Sequence, residues 1–288
     1  MSWQFLLFLF LIFGTAGHIL RRFLATTLKR YNRLINGFFL VAVLYPVGLL
    51  AASFTNPDLS IGWQNFIIIL IASGVFPLIK LLAFRASRDV DAGLYTILSN
   101  IAPIITIVAA AIFLSESLNG WQQMGVAIVL TSALLASLLG VSRRSIKSSP
   151  GLVYALVSIT LLGLAIVFER WMLTRVDFGA YLVFGWGAQA LWMAIIAWPE
   201  RRYIKIIKNK ANFLPILGYG VANSLKGLCF LGALHLSGNA SIVGVSSSFM
   251  AVLVVVAAYF VLKEREWLGY KTAVAVFGAI GLIILSIA

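Results

Sequence analysis

GVFPLIKLLAF (Gly74–Phe84) and GVANSLKGLCF (Gly220–Phe230) read as two versions of one segment. Glycine, valine, lysine, leucine and phenylalanine recur at the same places, and each copy sets one lysine, Lys80 or Lys226, inside a long apolar run. An ammonium near the middle of a membrane helix costs roughly 2.5–3.5 kcal/mol on insertion scales, so such a residue usually faces a cavity or a partner rather than lipid. Two at equivalent positions point to a shared role.

The rest of the chain supports a membrane setting. It has 288 residues, 61% of them hydrophobic and 11% charged, with a mean hydropathy of +1.01, well above the roughly 45–50% apolar content of soluble domains. An all-α polytopic membrane protein is expected, since this length holds about ten spans of ~20 residues and no soluble domain besides. The apolar runs fall at 3–24, 34–54, 64–84, 92–114, 119–140, 151–172, 178–198, 212–235, 239–262 and 268–287. Turn chemistry marks several boundaries, including Asn56-Pro57-Asp58, Asn119-Gly120, Ser149-Pro150-Gly151 and Trp198-Pro199-Glu200. The opening MSWQFLLFLFLIF has Arg21 and Arg22 after its apolar run rather than basic residues before it, and reads as the first span, not a secretory signal.

The sequence also repeats. At an offset of 148 residues ILRRFLAT (Ile19–Thr26) falls on VFERWMLT (Val167–Thr174), Asp91-Ala92 on Asn239-Ala240, Ser99 on Ser247 and Glu116 on Glu264. The lysines are 146 residues apart, which places a two-residue insertion at His235–Asn239. The expected organisation is ten transmembrane helices as two five-helix repeats, 1–145 and 146–288, in one membrane domain. An odd number of spans per repeat inverts the second copy, and inverted repeats with a site at the midplane are the architecture of many secondary transporters.

These features resemble the drug/metabolite transporter superfamily in its ten-helix EamA-type form. The resemblance covers essentially the whole chain. It rests on the repeat and on how each half closes: Asp91-Ala92-Gly93 and Asn239-Ala240-Ser241 open helices four and nine, and Pro103 stands mid-helix in the first copy. Leu114-Ser115-Glu116 and Leu262-Lys263-Glu264 then precede a Gly/Ala-rich helix. The family implies small-molecule transport without ATP hydrolysis, over substrates from amino acids and nucleotides to sugars and drugs. It commonly has both termini in the cytoplasm. Here the odd-numbered connections carry nearly all the Lys and Arg, including Arg21–Arg33, Arg143–Lys147 and Arg201–Lys210, against Arg170 and Arg175 in the even ones. By the positive-inside rule the odd connections are cytoplasmic and both termini outside.

Candidate binding residues are those set against their surroundings. Lys80 shares a face with Phe76 and Phe84, and Lys226 with Tyr219, Asn223 and Cys229, mixing charge, aromatic and small residues as a cavity wall would. The lysines either bind a carboxylate or phosphate or pair with an acid as gates; alternatively, one or both snorkel to an interface. His18, Arg21 and Arg22 share a face of the first helix, and the repeat sets Glu169 opposite Arg21 and Arg170 opposite Arg22. Glu169 is a partner for Lys226 or Arg21, or a carrier of a coupling proton; these residues equally well end their helices at headgroup level. Tyr95, Ser99 and Pro103 form an i, i+4, i+8 row, where proline leaves the Ser99 carbonyl without its helical partner. Ser247 is the corresponding polar residue in helix nine. Such serines either contact cargo or hold helices together. Glu116 and Glu264 are placed to accept backbone hydrogen bonds at the start of the next helix. Ser132, Ala136, Gly140 and Ala275, Ala279 read as close-packing faces, within the bundle or in a homodimer.

Other chemistries are disfavoured. The single Cys229 in an apolar run excludes an intrachain disulfide and reads as a packing residue, and two histidines without a Cys/His cluster leave no metal site. No Walker-type loop, His/Asp/Ser set or paired carboxylates appear, so no enzyme activity is expected. The net charge of +13 lies in loops, with no fold for nucleic acid.

The expected function is secondary transport, without a bound cofactor and with proton or ion coupling left open. The cargo is a small polar metabolite bearing an anionic group, and the chain is a monomer or homodimer in the lipid bilayer of a bacterial inner membrane. The candidate binding residues are Lys226, Lys80, Glu169, Arg22, His18, Tyr95, Ser99, Asn223, Tyr219 and Ser247. Alternatives are export of amphipathic drugs or amino acids, flipping of a lipid carrier, or a scaffold without a cavity.

Overall fold

The computed structural model describes residues 2–90, 95, 98–138, 150–250, 252–253 and 268–287. The described residues form helices and no strands. Six helices are long and apolar enough to cross a membrane: Trp3–Thr27 (α1), Asn32–Ser53 (α2), Trp63–Asp89 (α3), Pro150–Leu173 (α6), Phe178–Tyr203 and Lys210–Ser237 (α8). The fifth of these comprises the α-helix Phe178–Ala197 (α7) and a 3-10 extension. The other expected runs contain Ile101–Leu114 (α4), Gly120–Leu138 (α5), Ala240–Ser247 (α9) and Leu268–Ile287 (α10). The expected boundary at 145/146, together with Asp91–Gly93, Glu264 and the Arg143–Lys147 cluster, lies outside the described residues.

Local chemistry sets the helix ends. Ser2, Asp177, Asn209 and Asn239 cap α1, α7, α8 and α9 by accepting from the backbone N–H of the second or third residue of each helix. Asn119 and Gln122 exchange backbone and side-chain hydrogen bonds at 2.8 and 3.0 Å at the head of α5, a capping box. Gly238, at φ 68°, ends α8 in the left-handed region.

Two prolines reshape helices near the centre. In α2 the backbone widens to a π-turn over Phe38–Leu44, and Tyr45 N–H reaches back to the Leu40 carbonyl. Pro46 follows, and lacks the N–H that a regular helix would offer Ala42. In α3 Pro77 cannot serve the Ser73 carbonyl, which accepts from Phe76 N–H at 3.3 Å instead. Gly74 N–H turns to Ile71, and the Leu70 carbonyl takes the Trp192 indole N–H of α7 at 2.7 Å. Lys80 lies beyond this break, and α3 runs on to Asp89, so the lysine does not sit at a helix end. Pro103 corrects the expectation of a mid-helix proline: the chain turns at Asn100 and α4 begins at Ile101. Proline is tolerated in that first turn, where intrahelical N–H bonds are not yet made.

The helices pack in pairs. α1 lies along α8, α3 along α6, α5 along α10 and α2 along α7, while α4 contacts both α6 and α9. At the α5–α10 contact Ser132 Oγ donates to the Val274 carbonyl at 2.8 Å, and Gly278 lets α10 lie against Ser132. The described part of this small-residue face is thus used within the chain.

Even-numbered connections meet at one end of the bundle. Gly179 lies against Thr55 and Pro57, and the Phe178 and His235 rings are 5.2 Å apart. Glu116, expected to serve the next helix, instead caps α9 across the bundle. Its carboxylate accepts from Ala240 N–H at 3.0 Å and from both Ser241 N–H and Ser241 Oγ at 3.1 Å. A carboxylate at a helix N-terminus also meets the positive end of the helix dipole. Glu116→Ala is expected to destabilise the chain by about 1–2 kcal/mol, with Glu116→Gln intermediate, measured by thermal unfolding in detergent. The odd-numbered connections lie at the opposite end, where Tyr31 and Tyr203 meet edge to face at 5.6 Å and Leu34 N–H donates to Glu200 at 3.1 Å.

Candidate functional site: a central cationic cavity

A cavity of about 220 Å³ lies between residues of the first and second halves of the chain. α1 contributes His18 and Arg21, α3 Phe76 and Lys80, and helical positions ahead of the turn at Asn100 supply Tyr95 and Ser99. From the later helices come Glu169 of α6, Trp186 and Gln189 of α7, Tyr219, Asn223 and Lys226 of α8, and Ser247 of α9. The two lysines that mark the repeat therefore open onto one space.

Each strong cation in the cavity lies over an aromatic ring. Arg21 is 4.9 Å from the Tyr95 ring centre, Lys80 5.6 Å from Phe39, and Lys226 5.2 Å from Phe10. The ring face attracts a cation without neutralising it. Glu169, the cavity's carboxylate, is buried on α6. None of these four groups closes a salt bridge within 4.0 Å; the salt bridges among the described residues are Arg33–Glu200 and Arg88–Asp89. Three cations against one carboxylate leave an excess of positive charge in a mostly apolar cleft. Charges there interact more strongly than in water.

Hydrogen bonds hold the polar walls. Arg21 Nη2 and His18 Nδ1 are 3.3 Å apart, whereas Arg21 Nε is buried without a partner. Tyr219 donates to Asn36 Oδ1 at 3.2 Å, and Asn36 Nδ2 in turn donates to the Asn32 carbonyl at 2.9 Å. This polar chain fixes the ring position of Tyr219, which also packs edge to face on Phe39 at 5.4 Å. Asn223 Nδ2 donates to the Tyr219 carbonyl at 2.9 Å. Ser247 Oγ bonds back to the Gly244 carbonyl at 2.6 Å, while the hydroxyl of its neighbour Ser248, also at the cavity, has no partner.

Nine of the ten residues singled out from sequence line this space: Lys226, Lys80, Glu169, His18, Tyr95, Ser99, Asn223, Tyr219 and Ser247. Arg22 does not. It is exposed on the outside of α1, and Arg21 takes the cavity position. One residue turns a helix by 100°, so the face defined by His18 and Arg21 leaves Arg22 to one side. Trp186 and Gln189 were not singled out. Their signal was a lone amide in the apolar run GWGAQALWM (Gly185–Met193), where Gln189 is buried. Cys229 is buried beside the site and does not line it. Among the described residues no group of three or more His, Cys, Asp or Glu is placed to hold a metal ion.

A solved crystal structure is similar to this chain at a TM-score of 0.67, covering 96% of this chain and 94% of its own at 14% identity, a likeness of fold. No curated protein matches the sequence. Residues 1–138 match the EamA-like transporter family. That family is of the drug/metabolite transporter class and is not enzymatic. The first half of the chain is thus similar to the EamA-like transporter family, and this similarity, with six helices long and apolar enough to cross a bilayer, supports an integral membrane protein.

Proposed function

We propose that the chain is a secondary transporter that moves a small polar metabolite bearing an anionic group through the central cavity. The observation that carries this reading is the trio Arg21, Lys80 and Lys226, each set over a ring and, among the described residues, none in a salt bridge, facing one carboxylate. A carboxylate or phosphate entering the cavity gains charge-assisted hydrogen bonds that the empty protein does not make. Glu169 then opposes a cationic group of the cargo, the nearby Lys80, or a coupling proton.

The pathway is read as lying between two inverted five-helix repeats, 1–145 and 146–288. The helix pairing supports this. Exchanging the halves turns the α1–α8 contact into α6–α3 and maps α2–α7, α4–α9 and α5–α10 onto themselves, as a two-fold relation requires. The basic odd-numbered end is placed in the cytoplasm, with both termini outside and the protein in a bacterial inner membrane. A reporter fused to either terminus tests the orientation; cytoplasmic termini contradict it.

The cavity's Phe10, Phe39, Phe76 and Trp186 favour a second reading of the cargo, as an amphipathic molecule such as a drug or amino acid. The two are separated by thermal unfolding of the purified protein against small carboxylates and phosphates, neutral polar compounds and amphipathic cations. Binding stabilises by mass action. The proposal expects shifts from anions that grow with concentration; shifts confined to neutral or cationic compounds contradict it.

A further inference from the structure

The segment Trp198–Lys210, WPERRYIKIIKNK, joins α7 to α8. Both helices are candidate spans, so the segment lies where the membrane meets water. Its only acid, Glu200, turns inward: it accepts from Leu34 N–H at 3.1 Å and lies 4.0 Å from Arg33. This contact and the Tyr31–Tyr203 ring pair tie the segment to the head of α2. Arg201, Arg202, Lys205 and Lys210 are all exposed.

Apolar groups share that surface. Trp198 is 64% and Ile204 50% exposed. Arg201 stacks at 4.2 Å on Trp198, and Arg202 at 4.9 Å on Tyr203. Aromatic rings beside guanidinium groups suit the boundary between headgroups and acyl chains, since the ring enters the apolar layer while the charge stays at phosphate level. A soluble anion would use the bases and gain nothing from an exposed indole and isoleucine.

We propose that this segment is a docking platform for anionic phospholipid headgroups of the adjoining leaflet. Arg201 and Arg202 meet the phosphate, and Trp198 and Ile204 meet the upper acyl chain. The platform holds the head of α8, the helix that carries Tyr219, Asn223 and Lys226 into the cavity. Anionic lipid thereby fixes the start of a cavity helix.

The test is thermal unfolding of the full chain in phosphatidylcholine vesicles with and without phosphatidylglycerol. The wild type is expected to unfold at higher temperature with phosphatidylglycerol, and Arg201→Gln/Arg202→Gln to lose half or more of that rise. Arg88→Gln, which removes charge outside the platform, is expected to keep it. If the double variant does not fold, Lys205→Gln alone is compared, with a smaller loss expected. A rise retained above half in the double variant (or retained in full in Lys205→Gln), a loss of the same size in Arg88→Gln, or a rise reproduced by inorganic phosphate in phosphatidylcholine would each overturn the proposal.

Discussion

Lys226→Met is expected to weaken binding of an anionic cargo by roughly 30-fold while leaving the empty protein as stable as before. The Lys226 ammonium sits over the Phe10 ring and forms no salt bridge within 4.0 Å among the described residues, which leaves its charge open to cargo. A hydrogen bond to a charged group contributes about 1.5–3 kcal/mol, and about 2 kcal/mol is close to a factor of 30 in affinity. Methionine keeps the length and apolar contacts of the stem, and removing a charge held in an apolar cleft offsets any lost packing. Lys226→Arg retains the charge and is expected to retain most of the affinity.

Lys80→Met separates the two roles open to a cavity lysine. Lys80 and Glu169 act on one another electrostatically across the cavity. Removing Lys80 is therefore expected to lower the stability of the empty protein as well as its affinity, because the buried carboxylate loses an opposite charge that acts on it. Cargo-dependent and cargo-free unfolding temperatures measured on both variants check the contrast. Unchanged cargo affinity in both would make the lysines structural.

The second large effect is steric. Gly163→Ala in α6 is expected to destabilise the chain by about 1–3 kcal/mol, because overpacking a close helix crossing forces the backbone apart. A Cβ at Gly163 would lie 2.7 Å from the Ala102 carbonyl oxygen and 2.9 Å from Ile105 Cβ, on a helix that cannot yield by rotating one side chain. The crossing is also where Thr106 Oγ donates to the Gly163 carbonyl at 3.1 Å, and where Gly244 of α9 meets Thr106. The gain in helix propensity from glycine to alanine, up to about 1 kcal/mol, works in the opposite direction and is smaller. Gly120→Ala is the control. No heavy atom lies within 4 Å of the added Cβ there, and stability is expected to hold or rise slightly.

How much of this was legible in the sequence depended on whether the signal was local. Long apolar runs locate helices because a span needs about twenty such residues, and boundaries such as Trp3, Phe178 and Leu268 coincide with the runs. Lys80, Lys226 and Glu169 stand out because a charge in an apolar run is costly wherever it points. The choice between Arg21 and Arg22 was not local, because it depends on how α1 is rotated against α8. Glu116 reads from sequence as a cap, yet its helix is 124 residues away and reached only through the packing of α4 on α9. The break at Ser73 and the π-turn before Pro46 follow from proline. Which groups satisfy the freed carbonyls, such as Trp192 on Leu70, is set by tertiary contact.

If the cavity is a pathway, its walls are reachable in turn from both sides of the membrane. The most direct test is labelling of Asn223→Cys in a Cys229→Ser background, in sealed membranes of known orientation, with a membrane-impermeant thiol reagent applied to each side separately. Asn223 lines the cavity at half burial, and Cys229 is the chain's single native cysteine. Transport by alternating access predicts reaction from both sides, as each face opens in its turn. Reaction from neither side, or from one side alone, would contradict it.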